Sequence, residues 1–353
     1  MMRLPPFVLR RPRTVEEAAA WLAESPADTM LLGGGTDVVP NMKRRQQTPR
    51  TLIALRQIDA LRRVQHNGAI TIGAGMTLTE LLGDDRLRAA APGLWQAGAQ
   101  VATPHLRNMA TLGGNLCLDT RCTYYDQTYE WRKAIGFCMK KDGQICWVAT
   151  SSPRCLAVSS TDTAPMLQAL EAQVRLVSAS GTRTVPLADL YRLDGMHYLT
   201  RRADEILTDV IVPDQTAMRS TYWKLRRRGS IDFPVASAAV AARLKADRRV
   251  EQIRIVLGAV ASRPLQAATS DSMLTGEVLT DEAIAAAAEA AYTIAKPLDN
   301  TDYELIWRKR MTRALVTYAL REIRGDDVRE LRRRIARTDM LWPGAPPPGA
   351  PYV

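Results

Sequence analysis

No run of the chain approaches the roughly 18 to 20 apolar residues of a membrane-spanning helix, so the sequence excludes an integral membrane protein of the helical kind. The opening residues Met1 to Phe7 hold no apolar core of a secretory signal, which sets a cytoplasmic location as the expectation. Histidine is scarce, with three in 353 residues, and His105 has no base or metal-ligand partner near it in sequence, so it is expected to be structural. No glycine-rich stretch carries the Lys-Ser/Thr of a phosphate-transferring nucleotidase, and none completes the G-x-G-x-x-G dinucleotide fingerprint. No internal repeat is present. Cysteine is absent from both ends of the chain: all five lie between positions 117 and 155.

What is present is the composition of a soluble globular protein, 46% hydrophobic and 24% charged, long enough for two or three domains. The net charge of +11 is uneven. Between Arg308 and Arg337 eleven basic residues stand against four acidic ones, a pattern expected of a docking or solvated helical face rather than a nucleic-acid reader. A Pro/Gly arm from Trp342 to Val353 follows.

The N-terminal third alternates helix and strand signals. Thr14 with Glu17, and Thr77 with Glu80, are capping boxes that open helices; Met30–Leu32, Thr51–Leu55 and Ala69–Ala74 read as strands. Later come a helix over 164–170, a hairpin over 173–187 around Gly181, and a strand over 205–212. Strands over 237–244 and 250–257 and a helix capped by Thr280 follow, then a basic helix pair. The stretch from about 116 to 160 shows neither period, and a long irregular segment inside a compact domain is usually functional.

Two glycine loops are candidate phosphate cradles. Leu31-Leu32-Gly33-Gly34-Gly35-Thr36-Asp37-Val38 follows a strand, and Thr111-Leu112-Gly113-Gly114-Asn115 lies about 75 residues on. Glycine lets backbone N–H groups approach a phosphate closely, and two such loops favour a dinucleotide with a long phosphate bridge. Alone, either loop is equally consistent with a tight structural turn. The cysteines are separated from Cys122 onward by 15, 7 and 8 residues. An odd count in a chain without export features speaks against disulfides. Zinc sites usually use closely paired cysteines, whereas an iron–sulfur cluster accepts ligands from a long wrapping loop. The spacing favours iron–sulfur and leaves zinc open.

These residues carry a family resemblance. Leu31 to Val38, Thr111 to Asn115 and Ser160-Thr161-Asp162, with the opening Phe7-x-x-x-Arg-Pro-x-Thr-x-x-Glu-Ala18, resemble the FAD-binding medium subunit of the molybdenum hydroxylases, the xanthine and CO dehydrogenase flavoprotein family. Leu257 to Leu265 and Leu274-Thr-Gly-Glu277 are similar to its small C-terminal domain. The resemblance implies an α+β protein. Its parts are a two-lobed FAD-binding domain of the vanillyl-alcohol-oxidase/CO-dehydrogenase flavoprotein type over 1–215, a C-terminal α+β domain with a three-stranded sheet over 216–325, and a basic helix and arm over 326–353. It places FAD contacts at Leu31, Leu32, Gly33, Gly34, Gly35, Thr36, Asp37, Val38, Thr111, Gly114, Asn115, Asp162 and Lys224, with Asp162 also capping its helix. It assigns this subunit no catalytic residue.

Most members lack the segment 117–158, which resembles an insertion in the β subunit of 4-hydroxybenzoyl-CoA reductases. That likeness implies a [4Fe–4S] cluster on Cys122, Cys138, Cys146 and Cys155, with Cys117 free. It also implies a molybdopterin-binding large subunit, a [2Fe–2S] small subunit, an (αβγ)2 assembly, and a ferredoxin-like electron carrier, in an enzyme that removes a phenolic hydroxyl from an aromatic CoA thioester. An FAD/[4Fe–4S] subunit of an aldehyde or N-heterocycle oxidoreductase is the alternative. A basic zinc-binding nucleic-acid module is the distant one. The basic C-terminal segment is expected to dock on the partner subunits.

Overall fold

The computed structural model of the chain describes residues 3–336. Three sheets organise it. In the first, β1 (Val8–Arg10) and β2 (Thr29–Leu32) flank β3 (Thr51–Ala54), all parallel. The Val15–Glu24 helix packs Ala18, Ala19 and Leu22 against Ile53, Ile58 and Leu61. Thr14 caps that helix by accepting from Glu17 N, but the Glu17 carboxylate reaches back to Arg13 N, one residue earlier than a full capping box places it. At Thr77 the box is complete.

The second sheet is antiparallel, in the order β4 (Val64–Asn67), β5 (Ala69–Gly73), β8 (Ile206–Val212), β6 (Gln173–Ser178), β7 (Gly181–Pro186). Short helices, among them Pro92–Ala99, Leu112–Leu116 and Thr163–Ala169, pack on it around a second core. The chain crosses from β5 to β6 through these helices and the cysteine segment. Both glycine loops therefore come to lie between the first two sheets.

The C-terminal domain holds β9 (Met218–Leu225), β10 (Ala236–Leu244) and β11 (Val250–Gly258) as a meander, with a two-residue strand β12 (Leu265–Gln266) added at the edge. The sheet thus has four strands where three were expected. Helices Asp281–Ile294 and Leu305–Arg324 cover one face, burying Ile284, Ala287, Leu315 and Ala319 against it. Inside this domain Asp271 accepts from Ile255 N (2.8 Å) and Gln266 Nε2 (2.8 Å), and burial raises its pKa from 3.8 to about 6. A carboxyl with a raised folded-state pKa contributes stability below its ordinary value and loses it as pH rises through the folded one. The midpoint temperature of thermal unfolding should accordingly fall between pH 4 and about 6, and Asp271→Asn should flatten that slope.

Two arginines of the basic segment turn inward, while Arg310, Arg313, Arg329 and Arg333 stay exposed. Arg308 is fully buried and donates to the carbonyls of Val235, Leu298 and Ala259. Arg332, on the Arg329–Ala336 helix, lies over the Trp223 ring at 4.3 Å and bonds Glu322 (2.6 Å), Thr221 (2.7 Å) and Gln96 (3.1 Å). Glu322 also accepts from Trp223 Nε1 at 2.8 Å. Arg332 thus ties the Arg329–Ala336 helix to the junction between the two domains, whereas Arg308 ties its helix within the C-terminal domain. Residues 337–353, the expected docking arm, lie outside the described residues. Glu322→Ala removes an acceptor shared by Arg332 and the indole N–H, and should cost about 1–3 kcal/mol in urea unfolding.

Candidate functional site

The strand β2 ends at Leu32, and the three glycines turn the chain away. Gly35 has φ +75°, which an L side chain rarely adopts. A Cβ on Gly34 would collide with the Met109 carbonyl, and one on Gly33 would stand 2.7 Å from Thr111 Oγ1. The first loop therefore rests directly on the second. Thr111 starts the Leu112–Leu116 helix, its hydroxyl accepting from Gly114 N at 3.1 Å, and Gly113 N donates to Ala74 O at 2.8 Å. Three backbone segments meet here, and they line one cavity of about 400 Å3.

Leu31, Gly33, Gly34, Gly35, Thr36, Asp37, Val38, Thr111, Gly114, Asn115 and Asp162 all border that cavity. Leu32 and Lys224 do not. Asn115 is held firmly: its Oδ1 accepts from Thr161 Oγ1 (2.8 Å), Thr163 N (3.2 Å) and Thr163 Oγ1 (2.7 Å), so its NH2 is the part left to the cavity.

Asp162 does not cap its helix, contrary to expectation; Thr161 Oγ1 accepts from Ala164 N (3.4 Å) and Asn115 Oδ1 from Thr163 N (3.2 Å) instead. Its own carboxylate accepts from Tyr222 OH (2.8 Å) and pairs with Lys224 Nζ (3.0 Å), which also donates to Gln100 O (2.9 Å). Burial pushes the Asp162 carboxyl up and the Lys224 ammonium down, each opposed by the other's charge. Lys224 thus stands behind Asp162, on β9, rather than at the cavity surface. Asp37 pairs with Arg121, the neighbour of Cys122, and accepts from Asn41 Nδ2 at 3.1 Å. Sequence reasoning missed Met109, Asp119, Tyr198, Arg201 and Phe233 on the same cavity. His105 lies exposed on the short Pro104–Arg107 helix.

The cysteine segment is more ordered than its sequence suggests. Thr128 caps a helix, Tyr129–Ala134, and Arg121 pairs with Val158 through reciprocal backbone bonds of 2.8 and 2.7 Å. Buried Arg132 donates to Arg44 O (2.9 Å), and Asn300 Nδ2 donates to Leu156 O (2.6 Å), fastening the segment to both domains. Its interior brings Cys122, Cys138, Cys146 and Cys155 to the wall of a second, small pocket, with Tyr124, Tyr125, Met139, Lys140, Trp147, Val148 and Ala157. All four cysteines are buried and none is in a disulfide. Cys117 lies apart from them and borders the larger cavity. Burial pushes the Cys122 thiol up to about 12 and the Cys155 thiol to about 11, the latter opposed by Lys140. Among the described residues, no group of three or more His, Cys, Asp or Glu side chains is placed so that it could hold a metal ion.

Two lobes enclosing a glycine-lined cavity, followed by a small sheet domain, define the class as a flavoprotein subunit. Residues 5–215 match the family described as the FAD binding domain in molybdopterin dehydrogenase, and residues 220–323 match the CO dehydrogenase flavoprotein C-terminal domain. The chain belongs to this family, the FAD-binding medium subunits of the molybdenum hydroxylases. It is 29% identical over 320 residues to the carbon monoxide dehydrogenase medium chain of Hydrogenophaga pseudoflava, covering 90% of this chain and 96% of that one. It is also 29% identical over 323 residues to the aldehyde oxidoreductase FAD-binding subunit PaoB of Escherichia coli, covering 89% and 98%. A solved chain of the Hydrogenophaga pseudoflava carbon monoxide dehydrogenase superposes with a TM-score of 0.75 at 27% identity, covering 90% of this chain and 97% of that one. The match across both domains replaces the zinc-bearing nucleic-acid module with a flavoprotein. No helix among the described residues is long and apolar enough to cross a membrane.

Proposed function

We propose that this chain is the electron-transfer subunit of a multi-subunit molybdenum enzyme, holding FAD in the larger cavity and a [4Fe–4S] cluster on Cys122, Cys138, Cys146 and Cys155. The residues fit both groups. The glycine loops offer backbone without Cβ atoms to a pyrophosphate, and Asn115 presents a fixed amide NH2. Four buried, unpaired cysteines around one pocket are the donor set of a four-thiolate cluster. Burial raises the Cys122 and Cys155 thiols, which favours their protonated form unless a cationic centre takes the protons' place. When bound, the flavin exchanges one or two electrons and the cluster exchanges one. The protein positions both sites, excludes water from the thiolates through Tyr124, Trp147 and Val148, and leaves substrate chemistry to partner subunits carrying molybdopterin and [2Fe–2S] centres.

The single observation that carries this reading is the convergence of the four cysteines on a pocket that shares a wall with the flavoprotein cavity: Asp119 borders the cavity and Lys140 the pocket, 2.8 Å apart. The substrate we infer is 4-hydroxybenzoyl-CoA or a related aromatic thioester, reduced with two electrons and two protons to the dehydroxylated thioester and water, with a ferredoxin-like donor. Similarity to an aldehyde oxidoreductase subunit favours, as a second reading, an aldehyde or N-heterocycle oxidoreductase. The purified complex, supplied with reduced ferredoxin and 4-hydroxybenzoyl-CoA, should yield benzoyl-CoA by chromatography. Turnover of aldehydes or N-heterocycles with no thioester turnover would establish the second reading instead.

A further inference from the structure

Between the two sites lies a charged cluster that the family's glycine and cysteine motifs do not include. Asp119 and Lys140 form an ion pair at 2.8 Å with side chains only 7% and 6% exposed. Lys140 Nζ also donates to Thr120 Oγ1 (2.8 Å) and Gly195 O (2.6 Å), so its three protons have three acceptors. The rings of Tyr125 and Tyr198 face it at 4.9 and 5.3 Å. The Asp119 carboxylate accepts from Tyr125 OH (3.0 Å) and Gln47 Nε2 (3.3 Å).

The pair has a direction. Asp119 and Tyr198 border the flavin-type cavity, while Lys140 and Tyr125 border the cysteine pocket. Gly195 fixes the positive end, since its N–H donates to Cys155 O (2.8 Å) while its carbonyl accepts from Lys140 and Thr120. A Cβ there would stand 2.6 Å from Ala157 N, so this strand of contacts has no slack.

We propose that Lys140, held by Asp119, is a positioning residue that sets the redox balance between the two sites: its fixed positive charge raises the reduction potential on the cysteine side, and the Asp119 carboxylate lowers it on the cavity side. The proposal rests on the cofactor assignment above. A cluster with four thiolate ligands is anionic and gains one further negative charge on reduction, so a desolvated ammonium against its pocket stabilises the reduced form. Neither residue makes or breaks a bond. They bias a one-electron exchange in which the electron lost at one site is the electron gained at the other.

The test is a redox titration of the anaerobically purified complex, following the cluster by electron paramagnetic resonance and the flavin by absorption. Lys140→Met should move the cluster midpoint to more negative potential by a tenfold or larger change in its one-electron equilibrium, about 59 mV, and Lys140→Arg should stay near the wild type. Asp119→Asn should move the flavin midpoint to more positive potential. Retained iron with an unmoved cluster midpoint in Lys140→Met overturns the proposal. Should that variant lose its iron, an unmoved flavin midpoint in Asp119→Asn overturns it. Wild-type complex with no cluster signal would instead refute the cofactor assignment, so the two failures are distinguishable.

Discussion

Gly34→Ala is expected to abolish flavin binding. The added methyl would enter the space of the Met109 carbonyl, with the Ala110 backbone N only 2.9 Å away. Backbone cannot rotate aside as a side chain can, so the two loops must separate. Overpacking costs typically 1–3 kcal/mol, and a backbone collision belongs at the upper end. The separation also displaces Thr111, whose hydroxyl caps the Leu112–Leu116 helix and helps shape the cavity wall. The purified variant should keep its iron but show little flavin absorbance near 450 nm per chain. Gly114→Ala is the comparison: its Cβ would stand 2.9 Å from the Thr111 hydroxyl but collides with no backbone carbonyl, so it strains one capping side chain rather than forcing the two loops apart. Its flavin content should fall far less.

Cys122→Ser is expected to remove most of the iron. Serine keeps the volume but offers a hydroxyl in place of a thiolate, and a buried four-thiolate set has no spare cysteine within reach. Cys117 cannot substitute, because it lies on the larger cavity rather than the cysteine pocket. Iron should drop from about four per chain to well under half of that, the signature of a lost corner ligand. The same should follow for Cys138→Ser, Cys146→Ser and Cys155→Ser, whereas Cys117→Ser should leave iron unchanged. Flavin content should stay near wild type in all five, since the glycine loops do not depend on the pocket's contents. Equal iron loss from Cys117→Ser would contradict the ligand assignment.

The local features of this fold were readable in its sequence. Threonine caps at 14, 77 and 280, strands of apolar residues ending at glycines, and the crowding of cysteines are patterns that physical chemistry ties to short stretches of chain. What could not be read depends on residues distant in sequence. Asp162 has the position of a helix cap, but Lys224 and Tyr222, about 60 residues later, claim its carboxylate. The helix's first N–H groups go instead to Asn115, 48 residues away, and to Thr161. The short strands β1 and β4 carry three and four residues, too few for a clear period, and form because neighbouring strands pair with them. Arg308 and Arg332 looked like a solvated basic face, and their inward partners are carbonyls and a tryptophan ring contributed by other elements. The Asp119–Lys140 pair lacks any motif; only the folding of the cysteine segment against the cavity brings it into view.

The central claim is that one chain holds both a flavin and a four-iron cluster. Its most direct measurement is the FAD, iron and acid-labile sulfide content of the complex purified without oxygen, compared with that of a complex whose 117–158 cysteines are all replaced by serine. The wild type should exceed the variant by about four irons and four sulfides per copy of this chain, at equal FAD. Equal iron in the two, or zinc in place of the difference, would contradict it.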